Sequence, residues 1–128
     1  MEERKLPAPE PNPETAPYWD AAKNGTLFVR RCAACGRAHH YPRTLCPFCF
    51  SDKTEWQAAS GNGTVYSFSV MLRAPAPYAI AYVTLDEGTT MLTNIVDCDF
   101  ESIRMGMRVR LVFKPTEGGA PLPMFTPA

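Results

Sequence analysis

The chain has 128 residues, with 13 Lys plus Arg against 13 Asp plus Glu and a formal net charge of zero. That length holds one ordinary domain, or one small barrel with a metal-stapled module beside it. The charge balance supplies no global pull toward nucleic acid or an anionic membrane, and no apolar run approaches the roughly 20 residues that a membrane-spanning helix needs.

Residues 1–13 carry Pro7, Pro9, Pro11 and Pro13 on alternate positions, which excludes a helix and favours an extended, polyproline-like arm. Such an arm is either a disordered tail or a segment that orders on a partner. Its opening, Met-Glu-Glu-Arg-Lys-Leu-Pro, has no apolar signal region, so the expected setting is the reducing cytoplasm. Asn12-Pro13-Glu14 then reads as a helix start, with Asn as cap, Pro at the first helical position and Glu at the positive end of the dipole. The helix runs to Lys23 and stops at Asn24-Gly25. Tyr18, Trp19 and Ala22 lie on neighbouring faces and are expected as docked core, with an interface as the second reading. Leu27–Arg31 is a short strand.

That strand delivers the chain to Cys32-Ala33-Ala34-Cys35-Gly36. Ten residues later, counted from Gly36 to Leu45, comes Cys46-Pro47-Phe48-Cys49. Two residues between cysteines let both sulfurs face one ion at roughly 2.3 Å, and two such pairs complete a tetrahedron around zinc. Cys32, Cys35, Cys46 and Cys49 are therefore the candidate metal ligands. Iron in the same cysteines, for electron transfer, ranks behind zinc because rubredoxin-type second pairs usually lie much further along the chain. Disulfides need an oxidising compartment, which the opening residues do not point to. Four thiolates leave no open coordination position, so the expected role is structural, adding folding free energy to a segment too short to bury a core.

Arg30, Arg31, Arg37 and Arg43 surround this motif, and no acidic residue occurs between Gly25 and Ser51. Zinc with four thiolates carries about two negative charges, so four arginines leave an excess of about two positive charges. They serve either to support the cluster or as a site for phosphates or an acidic partner surface. His39 and His40 are left unassigned, since four cysteines already fill the tetrahedron.

From Gly61-Asn62-Gly63 the texture becomes a strand series. Strands are expected at Thr64–Leu72, Tyr78–Leu85, Thr89–Val96 and Arg108–Lys114, with a last short one around Leu122–Phe125. Arg73–Pro77 is a loop, Asp86-Glu87-Gly88 a hairpin turn, and Asp97–Met105 a connection with one helical turn. Val109, Leu111 and Phe113 point inward. Five short strands with this interruption suit a closed OB-type barrel, which also removes exposed edges; an open sandwich is the alternative. Met71, Met91, Met105 and Met107 are barrel core or an adaptable docking face. Cys98 reads as a semi-buried small hydrophobe. No nucleophile–base pair or phosphate-cradling glycine loop is present.

The expected architecture is mainly β. An arm and helix occupy residues 1–25, a rubredoxin-like zinc ribbon 26–58 and an OB-fold barrel 59–128. The carriers of a resemblance lie in this order: Pro17-Tyr18-Trp19, Arg31-Cys32-Ala33-Ala34-Cys35-Gly36, Tyr41-Pro42-Arg43, Cys46-Pro47-Phe48-Cys49, Trp56, Ser60 to Phe68, Val83 to Gly88, Ile103 to Val109 and the terminal Phe125 to Ala128. Together they resemble the zinc-ribbon/OB-fold family catalogued as domain of unknown function thirty-five. The resemblance implies a non-catalytic accessory subunit, or scaffold, of acyl-CoA metabolism, bound to a thiolase-like enzyme (thiolase, aldolase or acyltransferase). Such a subunit stabilises the complex and can border the path of a CoA-linked substrate. One departure stands out. A glycine commonly follows the second knuckle in such ribbons, and Phe50 is there instead, so that knuckle either turns differently or carries strain. The competing function is single-stranded nucleic-acid binding through Tyr66, Phe68, Tyr78 and Tyr82, which the scarcity of basic residues in the strands disfavours.

Overall fold

A turn ahead of the first helix already departs from the sequence expectation. The computed structural model describes residues 5–128; the first four residues of the expected arm lie outside the described residues. Helix α1 spans Ala16–Lys23 with Thr15 at the N-cap, so it starts later than Pro13. Asn12 does cap, but it caps the preceding turn. Its Oδ1 accepts from the Thr15 amide at 3.0 Å, while its own amide donates to Thr15 Oγ1 at 3.0 Å. This reciprocal pair closes residues 12–15 on themselves and leaves Pro17, not Pro13, in the first helical turn. Tyr18 and Trp19 are buried, at 2% and 6% exposure, as docked core.

The arm lies on the chain itself. Pro7 bridges Glu117 in parallel, the Glu117 amide donates to Leu6 O at 3.0 Å, and Ala8 fills the space over Gly119, where an added Cβ would come within 2.5 Å of Ala8 Cβ.

Three antiparallel strands form the ribbon sheet. β1 (Phe28–Cys32) is central, flanked by β2 (Ala38–His39) and β3 (Thr54–Ala58). The register sets Arg30 opposite both His39 and Trp56, and Arg31 opposite Ala38 and Glu55. Because side chains alternate across a strand, Arg30 and Arg31 leave the sheet on opposite faces.

The second sheet closes. β4 (Asn62–Met71), β5 (Tyr78–Leu85), β6 (Thr90–Ile95), β7 (Arg108–Lys114) and β8 (Leu122–Pro127) form a barrel in the order β4-β5-β6-β8-β7, with β7 returning to β4. This is the OB arrangement, not an open sandwich. All neighbours are antiparallel except β6 and β8, which pair in parallel at Ile95 and Phe125. A 3-10 turn at Phe100–Ser102 occupies the expected helical interruption. The period-2 pattern of β5 turns Ala79, Ala81, Val83 and Leu85 inward. These meet Val65, Met91, Ile95, Ile103, Val109 and Phe125, and the same apolar cluster continues into Tyr18, Trp19, Leu27 and Val29. Helix, ribbon and barrel share one core. Leu111 and Phe113 pack against it while partly buried, as does Cys98.

The methionines divide: Met91 is core and Met107 packs on it, but Met71 and Met105 are exposed. Among the described residues no helix is long and apolar enough to cross a membrane.

Candidate functional site

One backbone turn, used twice, builds the metal centre. In the first knuckle the Cys32 amide donates to Arg37 O at 2.9 Å and the Gly36 amide to Cys32 O at 2.8 Å. In the second, Cys46 donates to Ser51 O and Phe50 to Cys46 O, both at 2.9 Å. Gly36 and Phe50 thus occupy equivalent positions, at φ +78° and +63°. Glycine takes that left-handed conformation without steric penalty, whereas a side chain there costs roughly 1–2 kcal/mol. The second knuckle keeps the turn, and Phe50 carries the strain.

The two turns bring the four cysteines together. Their sulfurs all lie within 4.8 Å of one another, with Cys32 Sγ 3.6 Å from Cys49 Sγ and Cys35 Sγ 3.7 Å from Cys46 Sγ. Metal–sulfur bonds of about 2.3 Å give a tetrahedron with edges near ~3.8 Å, so the spacing fits one tetrahedral ion. The amides of Cys35 and Phe48 aim at Cys32 Sγ and Cys46 Sγ, each at 3.4 Å. Amide donation from Cys35 and then Ala34 brings the Cys32 thiol down to about 7 against its desolvation. At Cys46 burial opposes ionisation, but the amides of Cys49 and Phe48 outweigh it. At Cys49 the Ser51 amide favours the thiolate, yet burial and the crowding sulfurs of Cys32, Cys46 and Cys35 push the thiol up to about 12. Four sulfurs this close cannot all ionise without a cation among them, which is the donor chemistry of a soft divalent ion.

The histidines go elsewhere. Among the described residues the metal group holds the four cysteines alone. His40 Nε2 lies 2.9 Å from Tyr18 Oη, and Trp19 Nε1 donates to Tyr41 Oη at 3.0 Å. His39 is 3% exposed, and neither ring nitrogen has a hydrogen-bond partner among the described residues.

The four arginines do not form one cluster. Arg30 stacks over Trp56, 4.4 Å from the ring centroid, and bonds to Thr54. Arg31 is a latch. Its Nε donates to Gln57 Oε1 at 2.7 Å, Nη1 to Gly36 O at 2.7 Å, and Nη2 reaches Glu87 O on the barrel at 3.2 Å. Arg37 Cζ lies over the Phe48 ring, 3.8 Å from its centroid. Arg31, Arg37 and Arg43 line an open cleft of about 560 Å³ between ribbon and barrel, with His39, Phe48 and Glu87 among its other walls. Arg30 is outside it. The period-2 register separates Arg30 from Arg31, and the sequence count of charges could not show this. Sequence reading also missed the aromatic latch of Tyr18, Trp19, His40 and Tyr41; its signal was two aromatic residues in the helix and two more polar rings, 22 residues apart.

Comparison with known proteins matches two family models, one for a ribbon and one for a barrel. Residues 19–55 match the family model described as the ChsH2 rubredoxin-like zinc ribbon domain, and residues 56–114 match the ChsH2 C-terminal OB-fold domain. A DUF35 domain-containing scaffold protein of Methanocaldococcus jannaschii is 41% identical over 96 residues, covering 69% of this chain and 67% of that protein. The chain belongs to the DUF35 family. A solved structure described as the Ltp2-ChsH2(DUF35) aldolase superposes with a TM-score of 0.82 at 37% identity, over 93% of this chain and 98% of that one. A probable enoyl-CoA hydratase alpha subunit of Thermomonospora curvata is 38% identical over 127 residues, 95% of this chain but 40% of that subunit. This DUF35 chain therefore spans less than half the length of that relative. The ribbon match, with four sulfurs at tetrahedral spacing, makes zinc the cofactor.

Proposed function

We propose that the chain is a non-catalytic accessory subunit that binds a thiolase-like enzyme (thiolase, aldolase or acyltransferase) of acyl-CoA metabolism in the cytoplasm. The observation that carries this reading is the near full-length likeness to the DUF35 chain of an aldolase structure. Relatives named scaffold proteins and an enoyl-CoA hydratase alpha subunit support the same setting. In this reading Cys32, Cys35, Cys46 and Cys49 ligate a structural zinc. The side chains of Arg37 and Arg43, which make no ion pair or hydrogen bond among the described residues, receive an anion, either CoA phosphates or acidic side chains of the enzyme. Arg31 ties the ribbon wall of the cleft to the barrel and Arg30 steadies the sheet.

A nucleic-acid role fits less well. Tyr66 and Tyr82 are exposed on the barrel, but β4, β5 and β6 contain no Lys or Arg to hold a phosphate backbone.

The test is co-purification of the tagged chain with a thiolase-like or aldolase-like enzyme from its native cell extract. Co-elution in fixed stoichiometry, with a gain in that enzyme's activity, is the expected result. Separate elution with unchanged activity overturns the reading, as does recovery of RNA-associated proteins that disappear after nuclease treatment.

A further inference from the structure

The second knuckle displays its apolar side chains instead of burying them. Leu45, Phe48 and Phe50 are 52%, 45% and 77% exposed, within six consecutive residues. Phe50 gives the informative comparison because the fold contains its own control. Gly36 makes the same turn in the first knuckle without strain, while Phe50 makes it in the left-handed region with a ring that gains almost nothing from burial. Strain of this kind persists only where something offsets it. The backbone of this turn is held by the Phe50 amide on Cys46 O and by the metal-ligand geometry of Cys46 and Cys49, but the ring itself gains nothing there and stays available to an outside contact.

The charges around the knuckle indicate what covers it. Arg37 lies over Phe48, and Arg43 and Lys53 are exposed on the same module; the acids on it or bonded to it are Asp52, Glu55 and Glu14, the last taken up by Thr44, while the cleft beside the knuckle sets Arg31, Arg37 and Arg43 against Glu87. Pro47 and Phe48 also form a wall of the arginine-lined cleft, so the apolar tip and the cationic surface are continuous. We infer that Leu45, Phe48 and Phe50 form the docking surface for a folded protein with an apolar centre and an acidic rim. This rests on the accessory-subunit reading and identifies that protein as the acyl-CoA enzyme. Docking there roofs one side of the cleft and places Arg37 and Arg43 at the edge of the shared interface. The exposed barrel face, Tyr66, Tyr82 and Leu92, is the competing surface.

The experiment titrates a purified thiolase-like or aldolase-like enzyme of the same organism against the zinc-loaded chain and its variants Phe50→Gly, Leu45→Ser and Tyr82→Ser. Phe50→Gly removes the ring and relieves the backbone together, so its folding is safe; zinc content and circular dichroism check this. Phe50→Gly and Leu45→Ser each weaken binding by about tenfold or more, Tyr82→Ser leaves it unchanged, and added salt weakens the wild type. Wild-type binding that survives in both knuckle variants overturns this inference alone and leaves the accessory reading intact. Failure of the wild type itself to bind overturns the accessory reading and this inference with it.

Discussion

Tyr18 Oη and His40 Nε2, 2.9 Å apart, tie helix α1 to the segment that follows β2. The neighbouring Trp19–Tyr41 bond repeats the connection at 3.0 Å, and the rings of Tyr18 and Tyr41 meet at 5.4 Å. Helix and ribbon are joined by paired polar tips on an aromatic contact.

This bond predicts an acid sensitivity. Burial, and then the nearby His39, lower His40 from 6.5 to about 4. The unfolded chain therefore binds the proton first. His40 contributes its full stability above pH 6.5, and that contribution is lost as pH falls from 6.5 toward 4, by on the order of 3 kcal/mol. His39 shifts in the same direction. Urea unfolding at several pH values and fixed free zinc should give a shallower slope for His40→Gln than for the wild type. Equal slopes would remove His40 from the account.

The arginines separate into structural and binding roles. Arg31→Ala breaks three hydrogen bonds that join the ribbon strands, the first knuckle and the barrel, and should lower stability by about 2–3 kcal/mol. Charge reversal of Arg37 and Arg43 should leave the melting curve nearly unchanged, since surface substitutions usually cost within about 0.5 kcal/mol. The same reversals should weaken binding of the enzyme or of CoA. If Arg31→Ala melts like the wild type, the latch is cosmetic.

Zinc loss should be felt beyond the ribbon, because Leu27 and Val29 belong to the apolar cluster that runs into the barrel. Elemental analysis should find one zinc per chain, and none in Cys46→Ser. Chelation should shift the fluorescence of Trp19 and Trp56 and lower the unfolding midpoint, in keeping with structural zinc sites worth about 10 kcal/mol or more of folding free energy.

Gly63 is set so tightly in the barrel that an added Cβ would lie 2.7 Å from Val83 Cγ1 and 2.8 Å from Thr84 O. Backbone cannot yield as a flexible side chain can. Gly63→Ala should cost about 2–3 kcal/mol by overpacking, read as a lower urea midpoint with unchanged slope.

The barrel strands and the metal motif were legible because both obey short-range rules. Alternation along Tyr78–Leu85 and the Cys-x-x-Cys spacing need no knowledge of the rest of the chain. The strand Thr54–Ala58 was not legible: Thr-Glu-Trp-Gln-Ala shows no clean alternation, since this small sheet is only partly covered. The grouping of arginines failed for a related reason. Charge counting sees Arg30 and Arg31 as neighbours, whereas the β1 register sends one to Trp56 and the other to the barrel. The arm was ambiguous because its prolines fix extension but not what lies beside it.

The junction between ribbon and barrel is held on both sides: the Ala59 amide donates to Leu27 O at 2.8 Å, and the Leu111 amide to Gly61 O at 2.7 Å. A partner that touches the knuckle and the barrel together consequently meets them already at their working separation. The orientational freedom such a bivalent contact would otherwise forfeit has been given up during folding, so tethering gains appear in residence time. For such a partner, loosening this junction, for example by inserting glycines between Ala59 and Gly61, would speed dissociation without altering a single contacting side chain.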